Sequence, residues 1–312
     1  MNDKKLSDPR IVFLLALLCC FLWGSATPSI KTGYEIFGIA GSDTASIIVF
    51  AGMRFFLAGA IVLLIQSCAE KRVITPEKGS AKAIITLSLL QTMIQYFCFY
   101  VGLAHTSGVS GTIISGAGGL FAILLACVVF RQEKLTANKL IGVIIGFSGI
   151  IIMNLDFKGG TAFHFTLLGE GLVLMSQLSY ALSSIMVKRY SSRFSVVMLS
   201  GYQFMLGGLV MVIVGLLTGG RVDLTVGIAG WALLIYMALI SSIAYSVWGL
   251  LMANNPVSRI AIFNFLVPLF GVVLSAVFLG ETEQALQLNK LIALALVCLG
   301  IFTVNKAAEK KD

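Results

Sequence analysis

LAHTSGVS at Leu103–Ser110 and LMANNPVS at Leu251–Ser258 are one phrase written twice, at a spacing of 148 residues. The same spacing carries Phe130 and Glu133 onto Phe278 and Glu281. Beyond a three-residue insertion, Asn138-Lys139-Leu140 returns as Asn289-Lys290-Leu291, Gly149 meets Gly300 and Asn154 meets Asn305. Around these landmarks ten apolar stretches fill the chain from Ile11 to Asn305, five in each half. A unit with an odd number of spans enters the membrane in opposite senses in the two halves, and inverted repeats of this kind are the sequence mark of alternating-access carriers. The expectation is an all-α membrane protein of ten transmembrane helices, with residues 1–155 and 156–312 as two inverted five-helix repeats.

Composition agrees. The chain is 58% hydrophobic and 12% charged, with a mean hydropathy of +0.97, a balance that excludes a soluble globule. A bilayer core of about 30 Å takes roughly 20 apolar residues per helix. The spans fall near Ile11–Thr32, Ala45–Ser67, Lys82–Leu103, Val109–Phe130, Asn138–Asn154, Leu167–Val187, Ser195–Leu217, Gly230–Leu251, Ser258–Leu279 and Lys290–Asn305. The fifth and tenth read as the short ones. The first starts after Lys4, Lys5 and Arg10, as a signal peptide would, but its apolar run continues through Trp23 to Ile30 without a clean cleavage site, so it reads as a membrane helix.

The net charge of +8 raises the question of nucleic acid, and its distribution answers it. With the N-terminus inside, 17 Lys and Arg fall on inner loops and 4 on outer ones, with Arg54 inside a span. That is a positive-inside bias, which places both termini in the cytoplasm and the Phe157–Phe165 loop outside. The partners expected are a small-molecule substrate and membrane lipids, with no nucleic acid; oligomeric state is not written in the sequence. The six cysteines lack C-x-x-C spacing and the two histidines sit near helix ends, so no metal or other cofactor is implied.

Several stretches resemble the drug/metabolite transporter superfamily, specifically its EamA-type branch: FLWGSATPSIKTG at Phe21–Gly33, MRFFLAG at Met53–Gly59, LSYALSSIMVKR at Leu178–Arg189 and FNFLVPLFGVVLSAVFLGE at Phe263–Glu281. The resemblance spans nearly the whole chain. It implies a central cavity and plasma-membrane transport of small metabolites, often export, with the substrate left open. The related four-helix exporters carry a carboxylate deep in their first helix. Here that helix has none, Glu35 lies beyond it, and only Glu170 approaches a span interior, which gives proton antiport little support.

The candidate substrate-binding residues are Trp23, Gln95, Tyr96, Tyr180, Tyr245, Trp248, Asn264 and Arg54. Arg54, midway along the second span, must face protein, water or an anion. It is either a counter-charge for a substrate carboxylate or a fork that ties helices together; its repeat partner is Gln203. Trp23 and Tyr180 occupy matching mid-span positions and offer a flat ring with a polar tip, suited to a cavity or to core packing. Gln91, Gln95, Tyr96 and Tyr100 in the third span, and Ser241, Ser242, Tyr245 and Trp248 in the eighth, form two polar–aromatic faces, one per repeat, suited to a cavity lining or to interhelical bonds. Asn264 precedes Pro268, which can kink the ninth span or free a carbonyl towards the cavity, and either contacts substrate or bonds to the loosened backbone. Gly111, Ser115 and Gly119 form a small-residue stripe that permits close helix approach. Gly142, Gly146 and Gly149, answered by Ala293 and Gly300, mark a packing seam between halves. Lys31 and Lys188 are assigned no transport role, and Glu133 and Glu281, on opposite sides of the membrane, read as helix-end caps. A membrane-embedded enzyme is the rival class, lacking any clustered nucleophile, ligand set or carboxylate pair; a channel or lipid-interacting protein is a third, without a charged ring or filter loop.

Overall fold

The computed structural model describes residues 8–131, 134–155, 164–255, 260 and 262–309. Glu133, Arg259, Lys158 and most of the Phe157–Phe165 loop lie outside the described residues.

Helix follows helix throughout, with no strand among the described residues. In chain order they are α1 (Pro9–Ile36), α2 (Thr44–Glu70), α3 (Ala81–Ala104), α4 (Gly108–Val129), α5 (Ala137–Met153), α6 (Leu167–Ser191), α7 (Val196–Leu217), α8 (Gly227–Asn254), α9 (Phe263–Phe278) and α10 (Leu288–Glu309). Eight are long and apolar enough to cross a membrane, while α5 and α9 are shorter apolar helices. The chain is thus a multi-pass membrane protein.

Local chemistry sets the starts. Asp8, Asp43, Ser107, Thr136, Thr166 and Ser195 each accept a backbone N–H of the following first turn, at α1, α2, α4, α5, α6 and α7. These are the residue types whose side-chain oxygen satisfies an orphan donor at a helix start.

Two expectations are corrected. The tenth span is not short: α10 runs for 22 residues. The ninth is regular α-helix only over Leu266–Phe278, entered through a 3-10 turn at Ile262–Phe265. Pro268 lies in that first α turn, where a missing N–H costs nothing, and so marks a beginning in place of a kink. The proline that does interrupt a helix is Pro28 in α1, which leaves the Gly24 carbonyl without its usual donor.

Packing is dominated by antiparallel pairs of helices at matching places in the two halves. On α2 and α7, Val49 lies against Gly215, Gly52 against the Gly208 carbonyl and Gly59 against the Gly201 carbonyl. A Cβ at Gly52 would come within 2.7 Å of that carbonyl, and one at Gly59 within 2.5 Å of its partner. No side chain fits there. On α5 and α10, Gly142 meets Gly300 and Val304, and Gly149 meets Ala293 and Val297. On α4 and α9, Gly108 meets Ser275 and Thr112 meets Gly271. In each pair one number rises as the other falls.

The stripe on α4 behaves differently from expectation. Gly111 packs on Leu103 of the preceding helix, but a Cβ on Gly119 would meet nothing within 4 Å. Close approach instead uses Gly108, Gly116 against Val297, and Gly118 against Gln177 and Tyr180.

Candidate functional site

Arg54 is 2% exposed and its guanidinium is engaged by protein. Nε donates to the Met237 carbonyl at 3.0 Å, one Nη to the Tyr100 hydroxyl at 2.8 Å and the other to Ser241 Oγ at 3.1 Å. The cation also lies 4.9 Å from the Phe55 ring centroid. Arginine's planar fork suits such a set of separate oxygens. One side chain on α2 thereby ties α3 to α8.

Its partner position does the equivalent. Gln203 on α7 donates Nε2 to Gln91 Oε1 at 3.2 Å and accepts from Thr92, while Ser88 Oγ donates to the Gln203 carbonyl at 3.1 Å. Gln91 and Ser241 occupy the matching faces of α3 and α8. The two halves therefore repeat one contact, with a charge in one and an amide in the other.

Beside Arg54 lies an aromatic cluster. Phe55 and Tyr96 stack with centroids 3.9 Å apart, and the Tyr96 and Tyr245 hydroxyls are 3.3 Å apart. Trp23 packs edge-on against Tyr245 at 5.7 Å and Trp248 at 5.1 Å. Tyr180 is within electrostatic reach of Tyr96 and Tyr245. Four of the eight expected residues are thus in mutual contact and a fifth is close by.

Trp23, Tyr180, Tyr245, Trp248 and Asn264 are all half-buried, as are Ser115 and Gly119. Asn264 stands in the 3-10 turn that opens α9, next to Phe263, whose carbonyl accepts from Cys20 Sγ of α1 at 3.3 Å. Gln95 follows a π-helical turn at Ser88–Ile94, a deformation common at functional sites. It is 7% exposed, and its Oε1 is buried without a hydrogen-bond partner.

Two surface cavities lie elsewhere. One, of about 420 Å³, is an apolar groove bounded by Phe56, Ile84, Tyr202 and Leu206. The other, of about 230 Å³, is a polar cleft bounded by Lys31, Glu35, Tyr34 and Glu281. None of the eight candidates lines either.

Of the acids discussed above, Glu170 is bound at the start of α6. It accepts from the Thr166 N–H and hydroxyl at 2.9 and 2.7 Å and from Thr106 Oγ1 at 2.5 Å. That full complement of donors makes it a helix-start anchor. Two features carry no signal in the sequence: the unpartnered Gln95 oxygen and the open face at Gly119.

The chain matches the EamA-like transporter family over residues 10–155 and again over 167–306. Among relatives, an uncharacterized transporter of Bacillus subtilis, YvbV, is 26% identical over 97% of this chain and 93% of its own length. A probable amino-acid metabolite efflux pump of Salmonella typhimurium is also 26% identical, over 88% of this chain and 89% of its own. A solved crystal structure shares the fold at a TM-score of 0.65 and 17% identity, covering 95% of this chain and 98% of that one.

Proposed function

Since the chain belongs to the EamA-like transporter family, which sets it among transporters and not enzymes, we propose that it is a plasma-membrane carrier that exports a small amphipathic metabolite by alternating access. Residues 1–155 and 156–312 are the two inverted five-helix repeats, ten spans in all, with both termini in the cytoplasm. The observation that carries this reading is the doubled contact of α2 and α7. Arg54 reaches Ser241 and Gln203 reaches Gln91, each from one half into the other. Two such units can rock against each other while the hinge contacts persist.

The substrate site is the face formed by half-buried Trp23, Tyr180, Tyr245 and Trp248 over buried Tyr96, with Gln95 and Asn264 as polar contacts. Its aromatic faces fit flat apolar groups. The unpartnered Gln95 oxygen fits an N–H donor, because a buried acceptor left alone costs about 1–3 kcal/mol. With Arg54 held by protein and no carboxylate among these residues, the site favours a molecule of zero net charge. An amino-acid-like zwitterion or a neutral amide answers that description, in keeping with the name of the Salmonella relative, a probable amino-acid metabolite efflux pump.

The test is untargeted metabolite analysis of cells and medium with the gene deleted and overexpressed. Gln95→Leu and Tyr180→Phe are then compared with the native protein. A net-neutral compound should accumulate in the medium on overexpression and fall back with both variants, which remain monodisperse. Accumulation of a strongly charged compound, or full activity in both variants, would sink the site assignment.

A further inference from the structure

The Glu281 carboxylate bonds across the two halves of the chain. It stands in the turn after α9, yet it accepts the first two N–H groups of α4, from Gly108 at 2.8 Å and from Val109 at 2.7 Å. A carboxylate on a helix N-terminus pairs with orphan donors and with the positive end of the helix dipole. This cap comes from the other half of the chain. Beside it, Lys290 Nζ donates to Ser110 Oγ at 2.8 Å and Thr106 Oγ1 to Glu170, again joining the halves. Lys31 and Glu35 share the small polar cleft with Glu281.

Burial along α4 changes just past this cluster. Residues 108–114 are buried on every face, whereas Ser115, Gly119 and residues 121–126 are half-buried. The α4 surface is fully covered at the Glu281 end and becomes partly accessible from Ser115 onward, although residues 116–118 and Leu120 stay buried. Two hydroxyls in the shut interface, Thr112 Oγ1 on α4 and Ser275 Oγ on α9, are buried without hydrogen-bond partners. In a contact that stayed shut these groups would go permanently unsatisfied. In one that opens, water satisfies them each time.

We propose that Glu281 is the latch of the gate at this end: its two bonds to the α4 N-terminus hold α4 against α9, and their release opens the passage. On the alternating-access reading, which the inference extends, this is the outer gate, and Glu281 is a positioning residue that touches no substrate.

The test uses purified full-length protein in nanodiscs, with Ser275→Cys as reporter and an impermeant thiol reagent read site by site by mass spectrometry. Native Cys127, buried away from the latch, is the internal control. Glu281→Gln keeps the size and one acceptor but loses the charge and one bond. It should raise the labelling rate of residue 275 at least tenfold and leave Cys127 unchanged. Equal labelling of residue 275 with and without Glu281→Gln in folded protein overturns the proposal, and a parallel rise at Cys127 does the same by indicating general loosening.

A second variant keeps Glu281. A Cβ at Gly108 lies 3.0 Å from Ser275 Oγ, about the Cβ-to-distal-sulfur distance in a disulfide, so Gly108→Cys with Ser275→Cys can be cross-linked. Oxidation should stop exchange of a labelled amino-acid mixture across proteoliposomes, and reduction should restore it. Exchange that persists in fully cross-linked protein overturns the gate. If the reduced protein exchanges none of the mixture, the substrate reading of the preceding subsection fails, while the labelling comparison still decides the latch.

Discussion

Replacing Arg54 by lysine separates a structural guanidinium from a substrate-binding one. In the native protein three separate N–H donors reach the Met237 carbonyl, the Tyr100 hydroxyl and Ser241 Oγ. A lysine ammonium at the end of a flexible stem reaches one of these, and the other two acceptors lose a charged partner. A hydrogen bond to a charged group contributes roughly 1.5–3 kcal/mol, so losing two costs about 3–6 kcal/mol. For a chain of this size roughly 2–4 °C accompanies each kcal/mol, and Arg54→Lys should lower the melting temperature by on the order of 10 °C. The assay is thermal unfolding in detergent, followed by size-exclusion fluorescence, with and without candidate substrates. Tyr100→Phe, which removes one acceptor, should lose about half as much. A stable Arg54→Lys or Arg54→Gln protein that fails only with carboxylate-bearing compounds would refute this reasoning and assign Arg54 to the substrate.

Gly119→Leu should block transport with little loss of stability, because its side chain enters open space, whereas Gly52→Leu should collapse expression, because it meets the Gly208 carbonyl; equal stability of the two in a thermal assay would contradict the packing. Single cysteines at Thr225 and Ser191 should differ in intact cells, with an impermeant reagent marking only the former, and equal labelling would refute the ten-span topology. Asp43→Ala should cost about 1 kcal/mol, measured by denaturation, since Asp43 accepts from the Ser46 N–H and hydroxyl at 3.0 and 2.6 Å. The hydrogen bonds from Ser46 hold the Asp43 carboxyl below its ordinary pKa, so this contribution is complete above the unfolded value near pH 4 and fades as pH falls through the lower folded value; a native–variant difference that grows towards acid pH would contradict it.

What the sequence made legible follows from the range of the forces involved. Apolar length and loop charge act locally, so the helices were found with ends shifted by a few residues, and the family followed from phrases such as FNFLVPLFGVVLSAVFLGE. The glycine face at 142, 146 and 149, answered by Ala293 and Gly300, also pointed to the α5–α10 seam. The sevenfold glycine spacing at 52 and 59, and at 201, 208 and 215, was equally visible. Its meaning depended on knowing that α2 and α7 lie side by side. Pro268 was misread because a proline near a helix start and one inside a helix look alike until the start is known. The α4 stripe failed for a related reason: small residues permit an approach without saying whether a neighbour comes. Glu281 shows the limit most clearly. The carboxylate of LGE reads as a helix-end cap and loop anchor, yet the donors it satisfies belong to Gly108 and Val109, more than 170 residues earlier. The antiparallel packing of α4 and α9 brings the end of α9 beside the start of α4, so a residue that is locally a helix-end charge becomes a bond between the halves. The same geometry accounts for Arg54 and Gln203. Each looks like an isolated polar residue in an apolar run, and each is satisfied by a helix from the other half.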